Sequence, residues 1–156
     1  MRTVPDAVRP PRRRAADPGA ASLAADLRVS LMRATRRLRA EKSDADLSDA
    51  QYAVLALLDR EGASTPRELA AVERVQPPSM TRTVGCLVER GLVTRADHPL
   101  DGRQVVVCIT DAGRDVVAQT RRRRDAWLAR RLAALPPGER ATLAAASEIL
   151  RRIADS

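Results

Sequence analysis

The 156-residue sequence predicts a mainly α-helical protein interrupted by one two-stranded β-hairpin. Three observations carry that expectation. Hydrophobic residues make up 44% of the chain and aromatic ones 1%, so Ala, Leu and Val must fill the core, as they do between packed helices. After about Ser22, apolar residues recur at steps of three and four over most of the length. Only "LVTRAD" and "QVVVCIT" read as β-branched strands, and they flank "HPLDGR", whose Pro, Asp and Gly favour a turn.

Residues 1–21 hold Pro5, Pro10, Pro11 and Pro18 among Arg9, Arg12, Arg13 and Arg14, with almost nothing apolar to bury, which predicts a disordered basic arm. A first helix follows over residues 22–46, its stripe made by Leu23, Leu27, Leu31, Ala34 and Leu38. In the next helix Ser48 and Gln51 form a capping box, Leu47, Val54, Leu55 and Leu58 face one way, and Gly62 stops the run. Thr65, Pro66 and Glu68 then supply the cap, first position and box of a short third helix.

Two prolines, Pro77 and Pro78, open a fourth helix expected to end near Arg90, because a missing N–H is tolerated in a first helical turn. At 100° per residue Met80, Val84, Leu87 and Val88 cluster on one side, and Arg82 points almost directly away, flanked by Pro78, Ser79, Cys86 and Glu89. Helices three and four form a helix-turn-helix, and the two strands add a wing, so residues 47–110 read as one unit. Thr110 caps a long helix from about Asp111 to Ala134. Pro136, Pro137 and Gly138 break it, and a last helix carries Leu143, Ala146, Leu150 and Ile153. Residues 111–156 and the first helix extend past what a winged helix can cover, and a second copy of the chain is the simplest partner for them.

A net charge of +8 points to a polyanion such as nucleic acid, with an anionic membrane surface as the competing attraction. The first eighteen residues supply +3 of it, from five arginines and two aspartates. Lys42 is the only lysine, so the cations are otherwise arginines, whose paired donors match phosphate and carboxylate. Cys86 and Cys108 lack metal or disulfide spacing, and Cys108 is expected in the core. His98 is the only histidine, no glycine-rich phosphate cradle follows a strand, and no carboxylate pair is placed in a foreseeable cleft. The sequence therefore nominates no catalytic residue, cofactor or metal. It carries no apolar run of membrane-spanning length and no apolar middle of a signal peptide, which predicts a soluble, cytoplasmic protein without a membrane partner.

This order of elements, and most specifically "PSMTRTVGCLVERGLVTR" followed by Asp101-Gly102-Arg103 and "VCITDAGR", resembles the MarR family of bacterial transcription regulators. The resemblance implies a homodimer whose first and last helices interlock, through residues such as Leu23, Leu27, Leu31, Leu143, Leu150 and Ile153. It also implies a repressor on a near-palindromic operator in double-stranded DNA, with half-sites one helical turn apart, roughly 34 to 36 Å. Helix four would enter the major groove with Pro78, Ser79, Thr81, Arg82 and Cys86. Asp101 and Arg103 match the wing signature in which the arginine reaches the minor groove and the aspartate holds the wing; Arg95, His98 and Gln104 lie near its tip.

The resemblance further implies release by a small anionic or phenolic effector held between the dimerisation helices and the winged helix. The run "RRRRDAW" spreads four arginines over about 300° of a helix, so one or two must leave the solvated face, pairing with carboxylates such as Asp125 or Glu148 or holding such an effector. Trp127 is expected as a packing anchor. Gly85 and Cys86 depart from the longer polar residues frequent in the family, and oxidation of Cys86 would bear on DNA binding only if its thiolate forms. The alternative function is a non-specific architectural DNA-binding protein, distinguished by steep salt dependence without operator discrimination.

Overall fold

The computed structural model describes residues 19–41, 45–98 and 101–155, excepting the side chains of residues 98 and 101–103. The arm expected over residues 1–21 thus falls almost wholly outside the described residues. Among the described residues, six helices and one hairpin follow in order: α1 (Ala20–Arg39), α2 (Asp49–Glu61), α3 (Pro66–Val72), α4 (Pro77–Glu89), β1 (Val93–His98), β2 (Asp101–Ile109), α5 (Asp111–Ala133) and α6 (Pro137–Ala154). The chain divides into two compact units, residues 1–35 and 36–156.

Within the larger unit the helix starts follow from local hydrogen bonding. The Ser48 hydroxyl accepts from the Gln51 N–H at 3.2 Å while the Gln51 amide oxygen accepts from the Ser48 N–H at 2.9 Å. Thr65 and Glu68 repeat this box at 3.2 and 2.8 Å. Leu47, Val54, Leu55 and Leu58 are buried, and with Leu69, Met80, Val84, Leu87, Val93, Val107 and Val117 they form one continuous core. Removing such side chains from water is the main term holding the helix-turn-helix and wing together.

α3 and α4 end in the same way. After α3, the Val75 N–H donates to the Ala70 carbonyl at 3.0 Å and the Arg74 N–H to Ala71 at 3.3 Å. After α4, the Leu92 N–H donates to Leu87 at 3.0 Å and the Gly91 N–H to Val88 at 2.9 Å. Both are Schellman turns, with Arg74 (φ 52°) and Gly91 (φ 68°) in the left-handed position. The first makes the turn of the helix-turn-helix, and the second delivers the chain to β1.

β1 and β2 pair antiparallel from Val93 opposite Ile109 to Asp97 opposite Val105, and an irregularity after Asp97 brings His98 opposite Asp101. The strands thus run further into "HPLDGR" than the expected turn allowed. Ser64, in the α2–α3 connection, exchanges two backbone hydrogen bonds with Val107 at 3.2 and 2.9 Å and ties the wing to the helix-turn-helix. Val107 and Ile109 face the core, and Cys108 between them is only half-buried, correcting its expected place there. A strand alternates its faces, and Cys108 lies with its cross-strand neighbour Thr94 on the outer one.

α1 and α6 contain no buried residue. Leu23, Leu27 and Leu31 are 44%, 36% and 44% exposed, Leu143 48% and Ile153 61%; Leu150 is half-buried. Among the described residues, no helix is long and apolar enough to cross a membrane.

Candidate nucleic-acid interface

α4, like α6, starts on proline without a side-chain cap. Pro77 and Pro78 have no N–H, and the Ser79 and Met80 N–H groups both donate to the Gln76 carbonyl, at 3.0 and 3.2 Å. Its first turn therefore leaves no unpaired backbone donor for a phosphate, and Gln76 makes no side-chain cap because none is needed. Anion contacts at this end of the helix fall to side chains.

Met80, Val84 and Leu87 are buried against the core and hold α4 by one face. Pro78, Ser79, Thr81 and Arg82 are exposed on the others, with Cys86 half-buried beside them. The Thr81 and Thr83 hydroxyls donate back to the Pro77 and Ser79 carbonyls, each at 3.0 Å. Threonine so bonded presents its methyl and its remaining lone pair outward. Arg82 is the long donor on this face, with the reach to take a guanine edge or a phosphate.

The wing stands next to that helix. Thr81, Gln104 and Val105 line a groove of about 500 Å³ together with Thr65, Pro66, Arg67 and Pro77. Thr81, Arg95 and Val105 meet Pro66 and Val84 in a second depression of about 220 Å³. The structure therefore brings Thr81, Arg95 and Gln104 together, three residues nominated separately from helix and wing. The backbones of His98, Asp101 and Arg103 belong to the strands, and their side chains lie outside the described residues.

One exposed arginine, Arg67, joins this surface without having been expected there, and a second, Arg74, lies in the turn that leads into α4. Arg67 reaches the groove because the start of α3 packs beside β2, a long-range contact with no signature in the sequence. Arg74 sits in the turn between α3 and α4. The "V-E-R-V" stretch between the two helices was the available signal, since that turn needs one residue with positive φ.

The arginine run on α5 pairs otherwise than expected. Arg121 Nη1 lies 2.8 Å from Asp59 Oδ2 on α2, whereas Glu148 is bonded to Arg151 at 3.1 Å. Arg124 stacks 4.2 Å above the Tyr52 ring, its Nε buried with no hydrogen-bond partner among the described residues. A cleft of about 320 Å³ opens there, bordered by Arg39, Asp49, Tyr52, Glu73 and Arg124. Trp127 is buried as an anchor, with the Arg131 guanidinium 3.8 Å above its ring.

A helix-turn-helix whose second helix turns an arginine-centred face outward beside a two-stranded hairpin defines a winged-helix DNA-binding protein. The sequence profile of the MarR family matches residues 45–104. A helix-turn-helix transcriptional regulator of Mycobacterium tuberculosis is 44% identical over 135 residues, covering 86% of this chain and 94% of the relative. The crystal structure of a Pseudomonas aeruginosa protein described as a transcriptional regulator is 37% identical and superposes with a TM-score of 0.75 over 86% of this chain and 95% of that one. Apo MarR of E. coli is 28% identical with a TM-score of 0.69, covering 84% and 96% of the two chains. The chain belongs to the MarR family of transcriptional regulators and is not an enzyme.

Proposed function

We propose that the protein is a homodimeric, sequence-specific repressor that binds a near-palindromic operator and is released by a small anionic or phenolic effector. The observation that carries this reading is that Thr81 lines two depressions beside the exposed Arg82, one shared with Gln104 and the other with Arg95, which lets helix and wing engage one DNA segment together. Arg82 and Ser79 read base edges in the major groove, Arg95 and Gln104 meet the backbone, and the Asp101–Arg103 wing tip enters the minor groove.

A second copy of the chain covers the apolar faces of α1 and α6. Exposed leucines on both helices support this, because a lone soluble chain rarely leaves such stripes in water. The effector occupies the cleft at Tyr52 and Arg124, where a buried guanidinium nitrogen lacks a partner and an aromatic ring offers a stacking face. Release requires that the effector prefer one dimer geometry over the other.

The test is binding to DNA from the gene's own upstream region against scrambled DNA of equal length, at two salt concentrations. A preference of about a thousandfold that persists at the higher salt is expected. Equal binding that collapses with salt on both DNAs would instead identify a non-specific architectural protein.

A further inference from the structure

The chain leaving α4 is fastened to the start of α5 through Thr110. Thr110 Oγ1 accepts from the Gly113 N–H at 3.1 Å, capping α5, and donates to the Gly91 carbonyl at 2.8 Å, just beyond the last turn of α4. The Thr110 N–H donates to the Leu92 carbonyl at 3.1 Å. Gly113 closes the same joint: a Cβ there would collide with the Leu92 carbonyl oxygen and sit 2.7 Å from Ile109 Cγ1, so the first turn of α5 rests directly on the chain leaving α4. The Arg114 guanidinium adds a bond to the Ile109 carbonyl at 3.3 Å. The Thr110 hydroxyl is thus a short link with its donor and one acceptor position both used.

We propose that Thr110 is a positioning residue for operator binding: through its bond to Gly91 it fixes the angle between α4 and α5, and so the separation of the two recognition helices in the dimer. The inference rests on the dimeric operator reading above. α5 has 23 residues and a length of about 34 Å, so a rotation of about 5° at Thr110 displaces its far end by about 3 Å, close to one base-pair step. With α5 held in a dimer, the same rotation moves α4 instead, and the two-fold axis doubles the error.

Capping and fastening separate by substitution. Thr110→Asp keeps a strong cap for α5, because a carboxylate accepts from the Gly113 N–H, but it cannot donate to Gly91 and turns an acceptor toward that carbonyl. Thr110→Ser keeps both bonds. The probes are the two-half-site duplex footprinted in the upstream region, the same duplex with one base pair inserted between the halves, and a single half-site.

Wild type and Thr110→Ser are expected to prefer native spacing strongly. Thr110→Asp should melt near the wild-type temperature and bind the single half-site within about twofold of wild type, yet lose at least tenfold on the native duplex and most of its discrimination against the inserted one. Wild-type spacing discrimination in Thr110→Asp would reduce Thr110 to a helix cap and overturn the proposal, as would equal losses on half-site and full site. Should Thr110→Asp melt early, Thr110→Ala, which loses both hydroxyl bonds, is measured on the same probes below its melting temperature and judged by the same ratio of full-site to half-site loss. If wild type itself ignores half-site spacing, the dimeric reading fails, and this inference with it.

Discussion

Arg74 and Gly91 occupy the same position in two successive Schellman turns, with φ of 52° and 68°, one closing α3 and the other closing α4. Glycine adopts that conformation freely, whereas a side chain costs about 1–2 kcal/mol through the crowding of Cβ against the following carbonyl. The turn at the heart of the helix-turn-helix is thus the strained one, and it carries a cation.

Arg74→Gly is expected to stabilise the protein by about 0.5–1 kcal/mol, the relief of strain exceeding the added freedom of the unfolded chain, and to raise the melting temperature by about 1–4 °C. The same variant should lose affinity for DNA, since it removes an exposed charge beside α4. Thermal unfolding and DNA titration on one preparation check the two opposite signs. Gly91→Ala is the counterpart, expected to destabilise by about 1 kcal/mol.

Features decided within three or four residues were legible in the sequence. The boxes at Ser48–Gln51 and Thr65–Glu68, the proline start of α4 and the cap at Thr110 each depend on neighbours in the chain, so residue type nearly determines geometry. Contacts between distant segments were not. Arg121 finds Asp59 across 62 positions, whereas the sequence suggested Asp125 on the same helix or Glu148 on the next. Arg67 became part of the groove only once α3 was placed beside β2. Cys108 looked like core because its run is apolar, but alternation along β2 put it on the face opposite Val107 and Ile109, where it is half-buried.

Charge placed on the leucine stripes discriminates between a monomer and a dimer. Leu31 and Leu143 are 44% and 48% exposed in the single chain, where a change to Glu alters stability by no more than about 0.5 kcal/mol. Buried in a dimer, the same carboxylates are strongly unfavourable. Wild type is therefore expected to sediment at twice the 17.0 kDa chain mass, and the Leu31→Glu/Leu143→Glu variant as a monomer that keeps its helical circular dichroism. Unchanged sedimentation would remove these stripes from the interface.

Arg82 and Arg95 should fail in different ways. Arg82 points from the outer face of α4, and Arg82→Ala is expected to lose about 1–3 kcal/mol on the operator, with discrimination relaxed mainly at one base pair. Arg95 lies on β1 opposite Val107, where a backbone phosphate is the natural contact. Arg95→Ala should weaken binding evenly across sequences and reduce the slope of log K against log salt by about 1. Titrations against a single-substitution operator series at several salt concentrations separate the two patterns, and a matching pattern for both would merge their roles.

Thr81 carries the finest prediction because its hydroxyl is already engaged. With the proton donated to the Pro77 carbonyl at 3.0 Å, the groove meets a methyl group and an acceptor lone pair, among the apolar neighbours Pro66, Val84 and Val105 and the charged Arg95. The methyl is therefore the expected reading group, suited to the thymine methyl. Thr81→Val keeps the methyl and should hold operator affinity within about threefold, or about 0.65 kcal/mol, while water takes over the exposed Pro77 carbonyl. Thr81→Ser keeps the hydroxyl, loses the methyl, and should fall about five- to tenfold, with the loss confined to operators bearing thymine at the contacted step. Replacing that thymine by uracil should abolish the difference between wild type and the Thr81→Ser variant. The reverse order, with serine tolerated and valine not, would show that the hydroxyl leaves Pro77 on binding and that the helix start rearranges on DNA.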